Sequence, residues 1–298
     1  MIAHASLAGH LVTLVAAVGA VAAYGWAWWR GDVGPGRLAA WALGVLALVG
    51  ATSPPVEALA ARTFTGHMVQ HLAMIVVAAP LLVVARPLDT ARRARTRRGH
   101  RPGAIERRTA HTWRRAGTVV APLGFAVVLV GTHLTGVYDA ALRHRWVHEL
   151  EHVAYAVSAV ALWGAIRAGG TRRAVGRVGA VFGVIACTAF VGVVLISATT
   201  PLVPTYAALL GTGPALADQR HAAALMWVTG MLTTLPLLLL AVWRWAETEE
   251  RTARRAEALV DAGRSGAVSQ GSGPRRRPAP SAPTSGRAAA ARVSGPAP

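Results

Sequence analysis

Histidines recur at intervals of four residues in two parts of the chain. His67 and His71 form one pair, and His144, His148 and His152 form a longer series. Residues four apart lie one above the other on the same face of a helix, so the imidazoles of each series could chelate one ion. The spacing therefore predicts two metal-binding helix faces.

The types of ligand narrow the metal. Imidazole with thioether suits copper, and soft thiolate is not available, because the single cysteine, Cys187, lies inside an apolar run. Three methionines are secondary candidates: Met68, Met74 and Met226. Haem b is an alternative, because two histidines on different helices can ligate its iron axially. The spacing leaves both cofactors open.

Residues 148–152 also match H-E-x-x-H, in which two histidines bind zinc and the glutamate activates water. The match is weak in a chain with 11 histidines, and no motif for a third zinc ligand follows. We therefore expect a protein that is not an enzyme, with Glu149 and Glu151 orienting histidines or completing a metal site.

Apolar runs must position these residues. The chain is 53% hydrophobic and 15% charged, and several runs are long enough to cross a bilayer. The first run has no basic segment before it, so we expect it to be retained as a helix. The pattern predicts an all-α, polytopic membrane helix bundle of about seven transmembrane helices, with six and a re-entrant segment as the alternative; the predicted helices are 7–29, 38–53, 66–85, 117–135, 148–166, 178–197 and 222–242.

The arginines predict the orientation of the bundle. With the N-terminus outside and the C-terminus cytoplasmic, 27 arginines lie in inner segments and four in outer ones. The net charge of +18 is then explained by anionic membrane lipids, so we expect no nucleic-acid partner. This orientation puts nine histidines in the outer half: His4, His10, His67, His71, His133, His144, His148, His152 and His221.

The domain organisation follows from composition. We predict a transmembrane domain over 1–245 and a cytoplasmic helical extension over 246–263, ending at Gly263. Residues 264–298 are rich in Pro, Gly, Ser, Ala and Arg, so we expect a disordered basic tail.

Several segments together resemble a known family, the CtaG-type cytochrome c oxidase assembly factors, which are polytopic bacterial membrane proteins. The resemblance covers roughly residues 40–245. It is carried, in order, by HMVQHL (67–72), APLL (79–82), RPL (86–88), TH (132–133), YDAAL (138–142), WVHELEH (146–152), Tyr206, DQ (218–219) and MW (226–227).

The resemblance implies maturation of a haem-copper cytochrome c oxidase in the bacterial plasma membrane, by binding or delivering copper through an outer-face histidine cluster. Oxidase subunits and lipids are the expected partners, and a copper chaperone is a further candidate. A haem-b electron carrier and a copper transporter are the alternatives. The family lends importance to seven residues, the expected metal ligands: His67, His71, His133, Asp139, His148, Glu151 and His152.

Overall fold

The structure of the protein, a computed structural model, describes residues 7–97, 99, 103–167 and 174–271. Within these residues every regular element is a helix, which confirms the all-α prediction. In chain order the elements are α1 (Leu7–Gly31), α2 (Pro35–Ala51), α3 (Pro54–Ala60), α4 (Phe64–Leu72), a π-helical segment (Ala73–Ala78), α5 (Ala79–Ala85), α6 (Pro87–Thr96), α7 (Ala104–His133), α8 (Val137–Arg143), α9 (Arg145–Arg167), α10 (Ala174–Ser197), α11 (Pro204–Leu210) and α12 (Thr212–Gly271).

The seven predicted helices coincide with α1, α2, α4–α5, α7, α9, α10 and α12. Among the described residues, four helices are long and apolar enough to cross a membrane, or six when two bent pairs each count as one span. The bent pairs are α2 with α3, and the second half of α7 with α8. A multi-pass membrane protein is thus confirmed, whereas seven spans and an outer N-terminus stay predictions.

Three short helices that the sequence pattern did not reveal cover the start of α4. They are α3, α8 and α11, each of which joins two long helices. The Phe64 ring, at the beginning of α4, lies 4.7 Å from the Tyr138 ring of α8 and 5.9 Å from the Tyr206 ring of α11. Aromatic contacts at these distances fix the two short helices against the end of the bundle.

Close backbone packing sets the position of α4 against α3. A Cβ atom at Gly66 would lie 2.6 Å from the carbonyl oxygen of Leu59, so only glycine fits there. Gly66 also donates its backbone N–H to the Thr63 hydroxyl at 3.0 Å, which caps α4. Both contacts hold the residue immediately before His67.

The π-helical segment interrupts the same helix just after His71. A π-helical turn leaves part of the regular hydrogen-bond ladder unmatched. Trp163 of α9 donates its indole N–H to the Ile75 carbonyl oxygen at 2.8 Å. This bond fixes α9 against the broken helix, and α9 is the element that carries the second histidine series.

The chain divides by its internal contacts into Met1–Thr248 and Glu249–Pro298. In the second unit, the described side chains from 249 to 262 are exposed. The prediction placed the end of the last helix at Gly263, whereas α12 continues to Gly271. Residues 264–271, the first part of the predicted disordered tail 264–298, are therefore helical, and the rest of that tail, 272–298, lies outside the described residues.

Candidate metal centre

Two imidazoles of α4 touch each other in the interior of the bundle. Nε2 of His67 lies 3.2 Å from Nε2 of His71, and both side chains are almost fully buried, with relative exposures of 0% and 1%. At this distance one nitrogen carries the proton and the other accepts it. The four-residue spacing therefore gives the stacked pair that the sequence predicted.

The second histidine series faces this pair from α9. The rings of His67 and His148 have centroids 5.1 Å apart, and those of His71 and His152 are 5.8 Å apart. Within α9, the His148 and His152 rings are 4.1 Å apart. The two series thus lie side by side.

Glu151 places a carboxylate beside three of these imidazoles. Its Oε2 atom lies 3.4 Å from Nε2 of His67, 3.8 Å from Nε2 of His71 and 3.9 Å from Nδ1 of His148. We call His67, His71, His148, Glu151 and His152 the histidine cluster. A buried carboxylate is costly unless a positive charge or a hydrogen bond compensates it, so the cluster favours a cation.

Three members of the cluster can hold one ion together. One ligand atom from each of His67, His148 and Glu151 lies within 4.8 Å of the other two. Among the described residues, both carboxylate oxygens of Glu151 and Nδ1 of His148 are buried without a hydrogen-bond partner. Buried polar atoms are seldom left unpaired in proteins, so unpaired atoms that converge indicate a ligand site.

Tyr206 determines which nitrogen of His67 is free to bind a metal. The hydroxyl of Tyr206 donates to the Ala60 carbonyl oxygen at 2.5 Å and lies 3.5 Å from Nδ1 of His67. Because its O–H donates to Ala60, the Tyr206 oxygen accepts a hydrogen bond from the Nδ1–H of His67. Nε2 of His67 is then unprotonated, and its lone pair is available to the cluster. Metal-binding histidines have this arrangement, in which the other ring nitrogen donates a hydrogen bond.

His133 stands beside the cluster and contacts it through Tyr155. Nδ1 of His133 lies 3.0 Å from the Leu129 carbonyl oxygen and 3.2 Å from the Tyr155 hydroxyl. The Tyr155 ring lies 4.4 Å from the His71 ring. His133 is therefore a neighbour of the histidine cluster, separate from the three residues whose ligand atoms converge.

Asp139 is a predicted ligand whose carboxylate is bonded to other protein groups, away from the histidine cluster. Its Oδ2 atom pairs with Arg143 at 2.5 Å, and its Oδ1 atom accepts the Thr205 backbone N–H at 2.9 Å. The carboxylate links α8 to the beginning of α11. Since both oxygens already have partners, the contacts of Asp139 describe a structural role instead of a metal ligand.

Of the other histidines that the sequence predicts to be in the outer half, the structure describes two side chains. His144 and His221 are exposed. The side chains of His4 and His10 lie outside the described residues. Glu149, the presumed base in an H-E-x-x-H protease, is also exposed and pairs with Arg145 at 3.3 Å, away from the buried Glu151.

Sequence reasoning missed Asp218, which holds α12 against the start of α4. Its carboxylate accepts the backbone N–H of Phe64 at 2.6 Å and of Thr65 at 3.3 Å, and the Thr65 hydroxyl at 2.6 Å. A carboxylate at a helix N-terminus satisfies free amides and complements the helix dipole. The only sequence signal was its place in the Asp-Gln segment of the family pattern.

The fold and the site define a class: a multi-pass membrane protein with a buried imidazole–carboxylate cluster between its helices. Residues 21–248 match the family described as cytochrome c oxidase caa3 assembly factor, and the chain belongs to this family. The family and the apolar helices together place it in the bacterial plasma membrane.

Similar chains occur in mycobacteria. Uncharacterized proteins of Mycobacterium bovis and Mycobacterium tuberculosis are each 29% identical over 270 residues, covering 84% of this chain and 41% of their own length. An uncharacterized protein of Mycobacterium leprae is 28% identical over 244 residues, covering 76% of this chain and 36% of its own. The chain thus spans less than half the length of these relatives. No solved structure matches it.

Proposed function

We propose that this protein binds copper in the histidine cluster and delivers it to a cytochrome c oxidase during assembly. The observation that carries the proposal is the convergence of ligand atoms from His67, His148 and Glu151 within 4.8 Å, inside a family of oxidase assembly factors. In this role the protein transfers a cargo and catalyses no reaction. Oxidase subunits are its clients, membrane lipids surround it, and a copper chaperone is the proposed donor.

The donor set supports copper. Imidazole is a favourable ligand for copper, whereas sites made of carboxylate and carbonyl oxygens alone suit magnesium and calcium. Copper also forms part of the proposed client. The half-buried Cys187 lies in α10, away from the contacts that define the cluster, so thiolate chemistry has no part in this site.

One ligand of the cluster is placed for metal entry and exit. The side chain of His148 is 16% exposed, whereas those of His67 and Glu151 are fully buried. A donor or an acceptor could therefore exchange ligands with the metal first at His148. The buried residues would then hold the ion away from water.

The packing around the imidazoles favours copper over haem b. A haem group would lie at the ligating nitrogen, edge-on to the imidazole. Nε2 of His67 lies 3.2 Å from Nε2 of His71 and 3.4 Å from Oε2 of Glu151, which leaves no space for a macrocycle at that nitrogen. A purified protein that carries haem would absorb strongly in the Soret region, whereas a Cu(I) protein would be nearly colourless.

The test measures copper bound by the full-length protein, purified in detergent. We expect copper to bind wild type, and His67→Ala, His148→Ala and Glu151→Gln each to weaken binding by at least about tenfold, because changes around metal ligands cost 10–100-fold or more. His221→Ala is the matched control. Because His221 is exposed, this variant should bind copper as tightly as wild type. Oxidase copper content in membranes at limiting copper should follow the same order.

Two results would overturn the proposal. One is a wild-type protein that binds no copper or shows a Soret band. The other is an oxidase with full copper content at limiting copper in the His67→Ala and Glu151→Gln strains.

A further inference from the structure

An apolar cavity of about 60 Å³ lies beside the histidine cluster, between α4, the π-helical segment, α7, α9, α10 and α12. His71 belongs to the cluster and also lines this cavity. At the same wall lie His133, Tyr155 and two methionines, Met68 and Met226. A cavity that shares an imidazole with a metal site can offer the metal a second place to bind.

Two of the residues that line the cavity each have one buried ring nitrogen without a hydrogen-bond partner among the described residues: Nδ1 of His71 and Nε2 of His133. Other polar groups of the lining are engaged: Trp163 donates to Ile75, and the Thr233 and Thr234 hydroxyls donate to backbone carbonyls. The two imidazole nitrogens are therefore available to a ligand.

The hydrogen bonds of the two rings show that both nitrogens are unprotonated and that each has a lone pair available to a ligand. Nδ1 of His133 lies 3.0 Å from the Leu129 carbonyl oxygen, which can only accept, so Nδ1 carries the proton and Nε2 is free. His67 already donates a hydrogen bond from Nδ1, so its Nε2 is unprotonated. It therefore accepts a hydrogen bond from the Nε2–H of His71 at 3.2 Å. Nδ1 of His71 is then unprotonated, and unprotonated imidazole nitrogen is the form that binds metal.

The methionines add the softer ligands. Met68 and Met226 are 2% and 3% exposed and line the same cavity as the two free nitrogens. Thioether sulfur selects Cu(I) over harder ions. By contrast, the convergent ligands of the histidine cluster are imidazole and carboxylate alone.

We propose that His71, His133, Met68 and Met226 form a second site for Cu(I), deeper in the bundle than the histidine cluster. The proposal rests on the function proposed above, since the cluster supplies the ion. Cu(I) passes between the sites by ligand exchange beside His71, whose Nε2 lies 3.2 Å from Nε2 of His67 in the histidine cluster and whose unprotonated Nδ1 replaces a cluster ligand on the ion. Its oxidation state does not change, so the transfer needs no reductant.

The experiment loads the full-length protein with Cu(I) under anaerobic conditions and measures copper per chain and X-ray absorption at the copper edge. Wild type should bind two Cu(I) and show sulfur scattering. The double variant Met68→Leu/Met226→Leu should bind one Cu(I) and lose that sulfur signal. Leucine has a similar volume, so the packing is retained. Met74→Leu is the matched control, because Met74 is equally buried but absent from the cavity lining.

His133→Gln gives an independent variant that should lose the same copper equivalent, even if the double variant does not fold. Nitrogen and oxygen scattering alone in wild type, or a sulfur signal that survives in the double variant, would refute the second site. If one copper still binds and depends on His148, the proposed function stands without the second site. Failure of wild type to bind any copper removes both.

Discussion

Replacing Asp218 with alanine should loosen the start of α4 and, with it, the histidine cluster. The substitution removes three hydrogen bonds to one carboxylate, from the Phe64 and Thr65 amides and the Thr65 hydroxyl. A hydrogen bond to a charged group contributes about 1.5–3 kcal/mol. The three bonds involve two adjacent residues and are therefore not additive, so we expect a loss of about 2–3 kcal/mol in the free energy of opening this helix end.

A loss of this size is large enough to measure locally. At about 1.4 kcal/mol per factor of ten, it corresponds to roughly 30- to 150-fold faster hydrogen exchange at the Phe64 and Thr65 amides. Mass spectrometry of peptides that cover α4 would detect it. Because His67 follows two residues later, copper affinity should fall in the same variant.

The matched control is Asp32→Asn. Asp32 pairs with Arg97 at 2.9 Å, but both side chains are well exposed, so this ion pair contributes less than about 1 kcal/mol. Exchange at α4 should not change in this control. Equal exchange rates at Phe64 and Thr65 in wild type and Asp218→Ala would refute the reasoning, since the carboxylate would then contribute nothing to the helix end.

Two further predictions concern packing and topology. Gly66→Ala should lower the free energy of unfolding of the detergent-solubilised protein by about 1–3 kcal/mol, because its Cβ would lie 2.6 Å from the Leu59 carbonyl oxygen. The control Gly50→Ala, with open space around the new Cβ, should not change it. Equal melting curves for the two variants would contradict this prediction. In a Cys187→Ser background, Val137→Cys should react with an impermeant thiol reagent in intact cells and Thr96→Cys should not; the reverse pattern would overturn the outer placement of the cluster.

The sequence was sufficient for the long helices, because each contains an apolar run that stands out from the polar segments around it. It was not sufficient for α3, α8 and α11. These helices have seven residues each, too few for a helical period to stand out. They form because Phe64, Tyr138 and Tyr206 pack together across the chain, which no local pattern contains.

The candidate site shows the same division. Four-residue spacing placed His67 over His71 and His148 over His152, since this depends only on helix geometry. That the two pairs face each other was an expectation from topology that the structure supports, whereas the contacts of the Glu151 carboxylate with both α4 imidazoles were found only in the structure. The engagement of Asp139 by Arg143 and Thr205 depends on how α8 meets α11, and this is a property of the tertiary fold.

The polar residues of α9 also bear on how the protein is made. Among the described helices, α9 is not one of those apolar enough to qualify as a span by itself, because its first turns carry Arg145, His148, Glu149, Glu151 and His152. Ionisable residues are costly in lipid unless a neighbouring helix receives them. During synthesis α4 is inserted before α9, so the partner for Glu151 is already present when α9 leaves the translocon. A chain that cannot bring α4 to α9 would leave Glu151 facing lipid, and membrane proteases could recognise that exposed charge as a mark of incomplete assembly.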